Sequence, residues 1–121
     1  MRVLVNRCFG GFGLCDQAFE ALLERRGIAF ERQEAHPGSW MGVAYYRAGH
    51  VGEDEHYLSQ HDLTSDRADA DLIAVVDDLG LAAASGDYAE LAIVEIPDGV
   101  SWHIAEYDGM EHVAEDHRTW Y

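Results

Sequence analysis

The sequence predicts an α/β fold of the α+β kind, a mixed and largely antiparallel sheet of about four to five strands with two helices packed on one face. Three observations predict it. Apolar, β-branched runs open the chain at Val3–Val5 and recur at Leu91–Ile96. Two stretches with apolar residues at helical spacing lie between these runs. Asp108 and Gly109 separate two further strand candidates and are typical of a hairpin turn.

The length and composition fit a single folded domain over residues 1–121. A chain of 121 residues with 48% hydrophobic residues can bury roughly 65% of its unfolded surface. No apolar run approaches the ~20 residues of a membrane span, and the first residues lack a signal-peptide core, so we expect a soluble cytoplasmic protein. Cys8 and Cys15 fit neither a disulfide scaffold nor a zinc motif, and we expect free thiols.

The first half of the chain predicts a helix among strands. Residues 2–7 form a candidate central strand, and residues 15–26 carry apolar side chains on one helical face. Gly27 is a suitable helix terminator. Weak alternation predicts a second strand over residues 28–35, and residues 43–47 predict a short third strand.

The second half begins with an acidic segment and then returns to regular patterns. Residues 48–66, called the acidic excursion below, have no clean period and are expected to be irregular and mobile. A second amphipathic helix is predicted over residues 68–79, and a strand over residues 91–96.

The charge is strongly negative and unevenly distributed. The chain carries no lysine, and its formal net charge is −15. Residues 1–52 hold six arginines against five acids, whereas residues 53–121 hold 18 acids against Arg67 and Arg118. Phosphates would be repelled by most of such a surface, which argues against direct nucleic-acid binding. The asymmetry fits either solubility alone or association with a basic partner.

The predicted hairpin places two carboxylates side by side. A two-residue turn at Asp108 and Gly109 pairs residues whose numbers sum to 217, so Glu106 lies opposite Glu111. Like charges in that position are destabilising unless they are compensated. The compensation would be a cation, an arginine partner or a shared proton. Solvated surface acids, or a bulged turn that shifts the register, are the simpler alternative.

The same register brings two histidines together on the other face. His103 and His112 become diagonal neighbours, within reach of a common metal ion if a third ligand joined them. The spacing supplies only these two ligands, so the pair is a weak metal candidate and a structural or surface role is the main expectation. No cofactor is indicated by the sequence.

A glycine-rich loop follows the first strand and is the strongest local motif. Gly10, Gly11 and Gly13 allow a tight turn with positive φ angles just before the first helix. With Asn6 and Arg7, this loop would hold an anion at the helix N-terminus, or it would simply reverse the chain. It matches neither the dinucleotide nor the P-loop pattern.

Cys8 is a weak candidate for a catalytic nucleophile. It lies beside the glycines and near the start of the first helix, a position that can activate a thiol. No histidine is tied to it by spacing, so a half-buried structural thiol is the main expectation and catalysis is not the favoured interpretation.

Four segments resemble a group of small phage and prophage proteins of unassigned function. They are Val5-Asn-Arg-Cys-Phe-Gly-Gly-Phe-Gly-Leu14, Ile93-Val-Glu-Ile-Pro-Asp98, Glu106-Tyr-Asp-Gly109 and His117-Arg-Thr-Trp120. The resemblance implies a serine at position 15, where this chain has a thiol in place of a capping hydroxyl. It also implies a viral setting in the cytoplasm of a bacterial host. Small acidic viral proteins often inhibit host defence systems, some by imitating DNA.

The leading hypothesis is therefore a phage-encoded accessory protein that binds a basic host protein, in the manner of an anti-CRISPR or other anti-defence inhibitor. The acids expected to contact the partner are Glu53, Asp54, Glu55, Asp62, Asp66, Glu106, Asp108 and Glu111. The alternative is a small-molecule or nucleotide-binding module, or a small enzyme, built on residues 6–13. A structural viral subunit or a homo-oligomer is a third interpretation. We also expect Trp120 and Tyr121 to pack onto the domain rather than to anchor a partner.

Overall fold

Six strands and four helices form within residues 1–34 and 42–116, the residues that the computed structural model describes. The strands are β1 Arg2–Asn6, β2 Phe30–Glu34, β3 Val43–Arg47, β4 Leu91–Glu95, β5 Trp102–Tyr107 and β6 Met110–Glu115. The helices are α1 Asp16–Arg25, α2 Gln60–Leu63, α3 Ala70–Leu79 and α4 Leu81–Ala84. No helix in this part of the chain has the length and apolar character needed to cross a membrane. The predicted packing of Trp120 and Tyr121, and the His117–Trp120 motif, lie outside the described residues.

The predicted α+β class is confirmed, and every strand pairing is antiparallel. The strands are distributed over three two-stranded ladders, β1–β4, β2–β3 and β5–β6, rather than gathered in one sheet. The hairpin register is also confirmed. Trp102 lies opposite Glu115, and Glu106 lies opposite Glu111. Positive φ angles of 52° at Asp108 and 86° at Gly109 give the predicted two-residue turn.

Side chains separate the hairpin β5–β6 from the ladder β1–β4. The backbone N–H groups on one edge of β1 bond to β4. On the other edge, Leu4 N donates to the carbonyl oxygen of Arg67 at 2.9 Å, and Asn6 N donates to Glu111 Oε1 at 2.8 Å. A carboxylate thus occupies the place where a neighbouring strand would offer a carbonyl. The hairpin therefore meets β1 without extending its sheet.

The core lies between β1 and the two longer helices. Val3, Leu4 and Val5 are fully buried in β1, as the apolar run predicts. The buried faces of the helices pack together with this strand and with Leu91 of β4. They contribute Ala18, Phe19, Leu22 and Leu23 from α1, and Leu72, Ile73, Val75 and Val76 from α3.

Both longer helices begin at a side-chain cap and are followed by a glycine. The Cys15 thiol accepts a hydrogen bond from Ala18 N at 3.4 Å, so a sulfur atom occupies the position of a capping hydroxyl. Asp69 caps α3 by accepting from Leu72 N at 3.0 Å. Gly27 and Gly80, with φ of 72° and 90°, follow the last helical turns.

The acidic excursion is more regular than its sequence indicates. It contains a 3-10 turn, Asp54–His56, and the helix α2, which Ser59 caps. Leu58 is buried in the core, and its N–H group donates to the carbonyl oxygen of Tyr45 in β3. The excursion is therefore anchored to the domain at its centre, while its acids remain on the surface.

Candidate functional site

Three features that the sequence singles out meet at one cleft. The cleft has a volume of about 650 Å³ and is lined by the glycine loop, the acidic excursion and the hairpin β5–β6. The lining residues are Gly11 and Phe12, then Gln60, His61, Thr64, Ser65 and Arg67, and then Ile104, Glu106, Gly109 and Glu111. Segments separated by up to a hundred residues thus form a common surface.

Arg67 and Glu111 form a buried ion pair in the wall of this cleft. The two guanidinium nitrogens of Arg67 donate to Glu111 Oε1 and Oε2 at 2.6 and 2.9 Å. The side chains are only 14% and 8% exposed. The guanidinium carbon of Arg67 also lies 3.5 Å from the centroid of the Phe12 ring, a stacking arrangement that suits a planar cation. Arg67 is held on two sides.

Of the three ways to compensate the predicted Glu106–Glu111 pair, the structure shows an arginine partner. Glu111 is neutralised by Arg67 and also accepts the backbone N–H of Asn6. Glu106 is exposed, and its Oε1 accepts from Gly109 N at 2.6 Å. The two carboxylates therefore have different environments. Because Glu111 is buried and paired with Arg67, its carboxylate is not exposed to a partner as the other predicted acids are.

The glycine loop is used for close packing of three loops. Gly10 and Gly11 have φ angles of 134° and 121°. Gly10 N donates to the carbonyl oxygen of Asp108, and Leu14 N donates to Gln60 Oε1. A Cβ atom on Gly109 would lie 2.4 Å from Gly11 N. Glycine is therefore required where the loop meets the hairpin turn.

The charged groups in the lining of this cleft do not favour binding of an anion. Arg67 is paired with Glu111, and Glu106 adds a further carboxylate to the lining. The side-chain amide of Asn6 bonds to main-chain groups, and the Arg7 side chain is exposed. The charge of the lining therefore favours a cation over a phosphate. Anion binding by Asn6, Arg7, Gly10, Gly11 and Gly13 remains a prediction.

The arginines of the first half neutralise acids of α3 and its N-cap. Arg2 bonds to Asp77 at 2.6 and 2.8 Å, Arg25 to Asp71 at 3.1 Å and Arg26 to Asp69 at 2.8 Å. The hydrogen bond from Arg2 lowers the pKa of Asp77, and that from Arg26 lowers the pKa of Asp69, against the opposing effect of burial.

The acids of the excursion have no such partners. Asp54, Glu55, Asp62 and Asp66 are exposed, and within residues 1–34 and 42–116 no arginine lies within 4.0 Å of their carboxylates. The Glu53 carboxylate lies 2.7 Å from His50 Nδ1. Asp62 and Asp66 adjoin His61, Ser65 and Arg67 of the cleft lining in sequence. Negative charge thus remains where the excursion borders the cleft.

The thiol and histidine candidates lie in small local networks. Cys8 Sγ is half-buried and donates to the carbonyl oxygen of Tyr88 at 3.2 Å. His103 contacts the Asp116 carboxylate, and His112 is an exposed diagonal neighbour on the same hairpin face. Among the described residues, no three His, Cys, Asp or Glu side chains converge as metal ligands.

Several cleft residues were not identified by sequence reasoning, namely Phe12, Gln60, His61, Ser65 and, above all, Arg67. One signal points to Arg67. It is one of two arginines among the 18 acids of residues 53–121, so an acid that needs an internal partner has few choices. Gln60 and Phe12 carry no comparable signal, because their roles depend on contacts that are distant in sequence.

Comparison of the chain with protein-family models, curated proteins and solved structures yields no significant match.

Proposed function

We propose that this is a phage-encoded accessory protein that acts by binding and inhibiting a basic, nucleic-acid-handling defence protein of the bacterial host. The observation that carries the proposal is the distribution of unpaired carboxylates. Arginines pair with Asp69, Asp71 and Asp77 at α3, whereas the acids of the excursion, together with Glu106 and Asp108 of the hairpin, are exposed without an arginine partner among the described residues. We call Asp54, Glu55, Asp62, Asp66, Glu106 and Asp108 the acidic surface.

The chemistry of this surface suits a nucleic-acid-binding channel. Such channels are rich in arginine and lysine because they neutralise phosphates. A folded surface that presents closely spaced carboxylates offers those cations an alternative anion. Attraction between surfaces of opposite charge also accelerates the encounter and weakens as salt is added. The formal net charge of −15 on 121 residues supports steering over long range.

A capture experiment with charge-matched variants tests the proposal. Tagged protein is mixed with lysate of the bacterium that carries the gene, and bound proteins are identified by mass spectrometry at ~0.1 M and ~0.5 M salt. One variant, called the acidic-surface variant, neutralises the four excursion acids of the acidic surface by Asp54→Asn, Glu55→Gln, Asp62→Asn and Asp66→Asn. The control variant removes the same charge elsewhere by Glu24→Gln, Asp78→Asn, Glu95→Gln and Glu115→Gln, all at exposed positions.

The expected result is a basic nucleic-acid-handling protein that is captured at low salt by the wild type and by the control variant. The acidic-surface variant should lose it, and high salt should release it, because both treatments remove the same attraction. Addition of the purified protein should then inhibit the nuclease or nucleic-acid-binding activity of the captured partner. Capture that survives both ~0.5 M salt and neutralisation of the acidic surface would overturn the proposal.

A further inference from the structure

Three large aromatic side chains are exposed on three neighbouring loops. Phe9 precedes the glycines and is 62% exposed, Tyr88 follows the turn after α4 and is 78% exposed, and Tyr107 at the hairpin tip is 76% exposed. The rings of Phe9 and Tyr107 meet edge to face with centroids 6.4 Å apart. We call these three side chains the aromatic patch.

Backbone contacts hold the three loops against one another. Gly10 N donates to the carbonyl oxygen of Asp108 at 3.1 Å. A Cβ atom on Gly10 would lie 2.6 Å from the carbonyl oxygen and 3.2 Å from the Cβ atom of Tyr88, so these two loops are in direct contact. The Cys8 thiol donates to the same carbonyl oxygen. Because the loop backbones are held together, the three side chains start from fixed neighbouring positions, which lowers the conformational entropy lost on binding.

The patch is not part of the hydrophobic core. The core is formed by β1, α1, α3 and their neighbours, and the three rings lie outside it. Exposed aromatic side chains that cluster on fixed loops are the usual composition of a binding hot spot.

Carboxylates on the same three loops indicate the chemistry of the partner. The three loops carry Asp87, Glu90, Glu106 and Asp108, which are all exposed, against one arginine, Arg7. Aromatic faces attract cations, and the guanidinium group both stacks on rings and pairs with carboxylates. A nucleic acid would be repelled by the same four acids.

We propose that the aromatic patch binds arginine side chains of a protein partner, with the guanidinium groups stacked on the rings and paired to the adjacent carboxylates. This inference rests on the proposed function and deepens it. The acidic surface supplies long-range attraction to any basic protein, and the patch selects arginine over lysine. It also explains why the glycine loop and the hairpin turn are packed so closely, since that packing places Phe9 beside Tyr107.

Two synthetic peptides test the inference without knowledge of the natural partner. One is a short arginine-glycine peptide, and the other is the lysine-glycine peptide of equal length and charge. Affinities are measured by calorimetry for the wild type, for Phe9→Ser/Tyr88→Ser/Tyr107→Ser and for Tyr57→Ser. Tyr57 is a matched control because it is 52% exposed and lies outside the patch, where its ring meets that of Tyr46 of β3 edge to face.

The wild type and Tyr57→Ser should bind the arginine peptide about tenfold more tightly than the lysine peptide, as expected for two stacked cations. The triple variant should bind both peptides with the affinity of the lysine peptide. Amide resonances of residues 9, 88 and 107 in the wild-type protein should shift on addition of the arginine peptide. This last measurement does not depend on the folding of any variant.

Equal, salt-sensitive binding of both peptides by the wild type would overturn the role of the patch and leave the acidic-surface proposal standing. Failure of both peptides to bind would contradict both proposals. Self-association that the triple variant abolishes, with no preference for arginine, would identify a second copy of the chain as the occupant and would also overturn the inference.

Discussion

The side-chain Nδ2 of Asn6 donates to the carbonyl oxygen of Gly109 at 2.7 Å, although 103 residues separate them. The same amide nitrogen donates to the carbonyl oxygen of Cys8, and Asn6 Oδ1 accepts from Glu90 N. Asn6 is fully buried. One amide therefore joins the three loops that carry the aromatic patch.

Replacement of Asn6 tests whether this junction supports the fold. Asn6→Asp exchanges two donors for a carboxylate that faces the carbonyl oxygens of Cys8 and Gly109. We expect a loss of about 3 kcal/mol in the free energy of unfolding at pH 7, because a buried charge would face two acceptors. Urea unfolding followed by circular dichroism measures it. A loss below about 0.5 kcal/mol would show that the loops are held by other contacts.

The Arg67–Glu111 pair predicts strongly non-additive substitutions. Glu111→Met leaves the guanidinium of Arg67 buried without its counter-ion, and we expect a loss of about 3–5 kcal/mol. Arg67→Met combined with Glu111→Met removes both charges and should cost less than Glu111→Met alone. Thermal and urea unfolding of the single and double variants provide the comparison. A double variant that loses the sum of its single substitutions would contradict the pairing.

Alanine substitution of two glycines with similar φ angles distinguishes the cost of backbone strain from the cost of a steric clash. Gly99 and Gly109 have φ of 81° and 86°, but a Cβ atom meets nothing within 4 Å at Gly99, whereas at Gly109 it would overlap Gly11. Gly99→Ala should cost about 1 kcal/mol through backbone strain. Gly109→Ala should cost about 2 kcal/mol more through the clash with the glycine loop. Equal losses in urea unfolding would show that the two loops are not in contact.

The lowered pKa of Asp69 predicts a pH-dependent contribution of this residue to the stability of the fold. The hydrogen bond from Arg26 holds the pKa of Asp69 below its usual value, although burial acts in the opposite direction. Stability gained in this way is present above the unfolded pKa of about 3.9 and is lost as the pH falls through the lower folded pKa. Asp69→Asn keeps a good N-cap for α3 but removes the charge.

We therefore expect Asp69→Asn to be less stable than the wild type by about 1 kcal/mol at pH 7. The difference should begin to shrink as the pH falls below about 4 and should disappear below the lowered folded pKa, where the wild-type carboxylate is also neutral. Asp87→Asn, at an exposed residue without an arginine partner in the described structure, serves as a control. A difference that stays constant between pH 7 and pH 3 would exclude the ion pair as its cause.

Local patterns predicted the elements that are determined by neighbouring residues. The α1 helix begins after Cys15 and ends before Gly27 because capping and glycine conformation act within a turn. The hairpin register followed from Asp108 and Gly109, because a two-residue turn fixes which residues face each other. The opposition of Glu106 and Glu111 was predictable for the same reason.

The remaining features depend on contacts between distant segments. Glu111 takes the place of a strand neighbour on the free edge of β1, so the hairpin β5–β6 forms a ladder separate from β1–β4 where one sheet was expected. No periodicity in the sequence predicts that a side-chain carboxylate replaces a neighbouring strand. The aromatic patch was likewise not recognised, since Phe9 and Tyr88 lie in turns, Tyr107 ends β5, and the proximity of these segments appears only in the fold. Large aromatics in glycine- or aspartate-containing turns are nevertheless a signal that the sequence carries.

Competition with DNA tests the central claim most directly. Tagged protein captures its partner from bacterial lysate at low salt, in the absence and in the presence of increasing double-stranded DNA. If the acidic surface occupies a nucleic-acid-binding channel, DNA should displace the partner in proportion to its concentration, whereas an uncharged polymer should have no effect. Capture of the same partner that is unchanged by saturating DNA would contradict the claim, because the protein would then bind outside that channel.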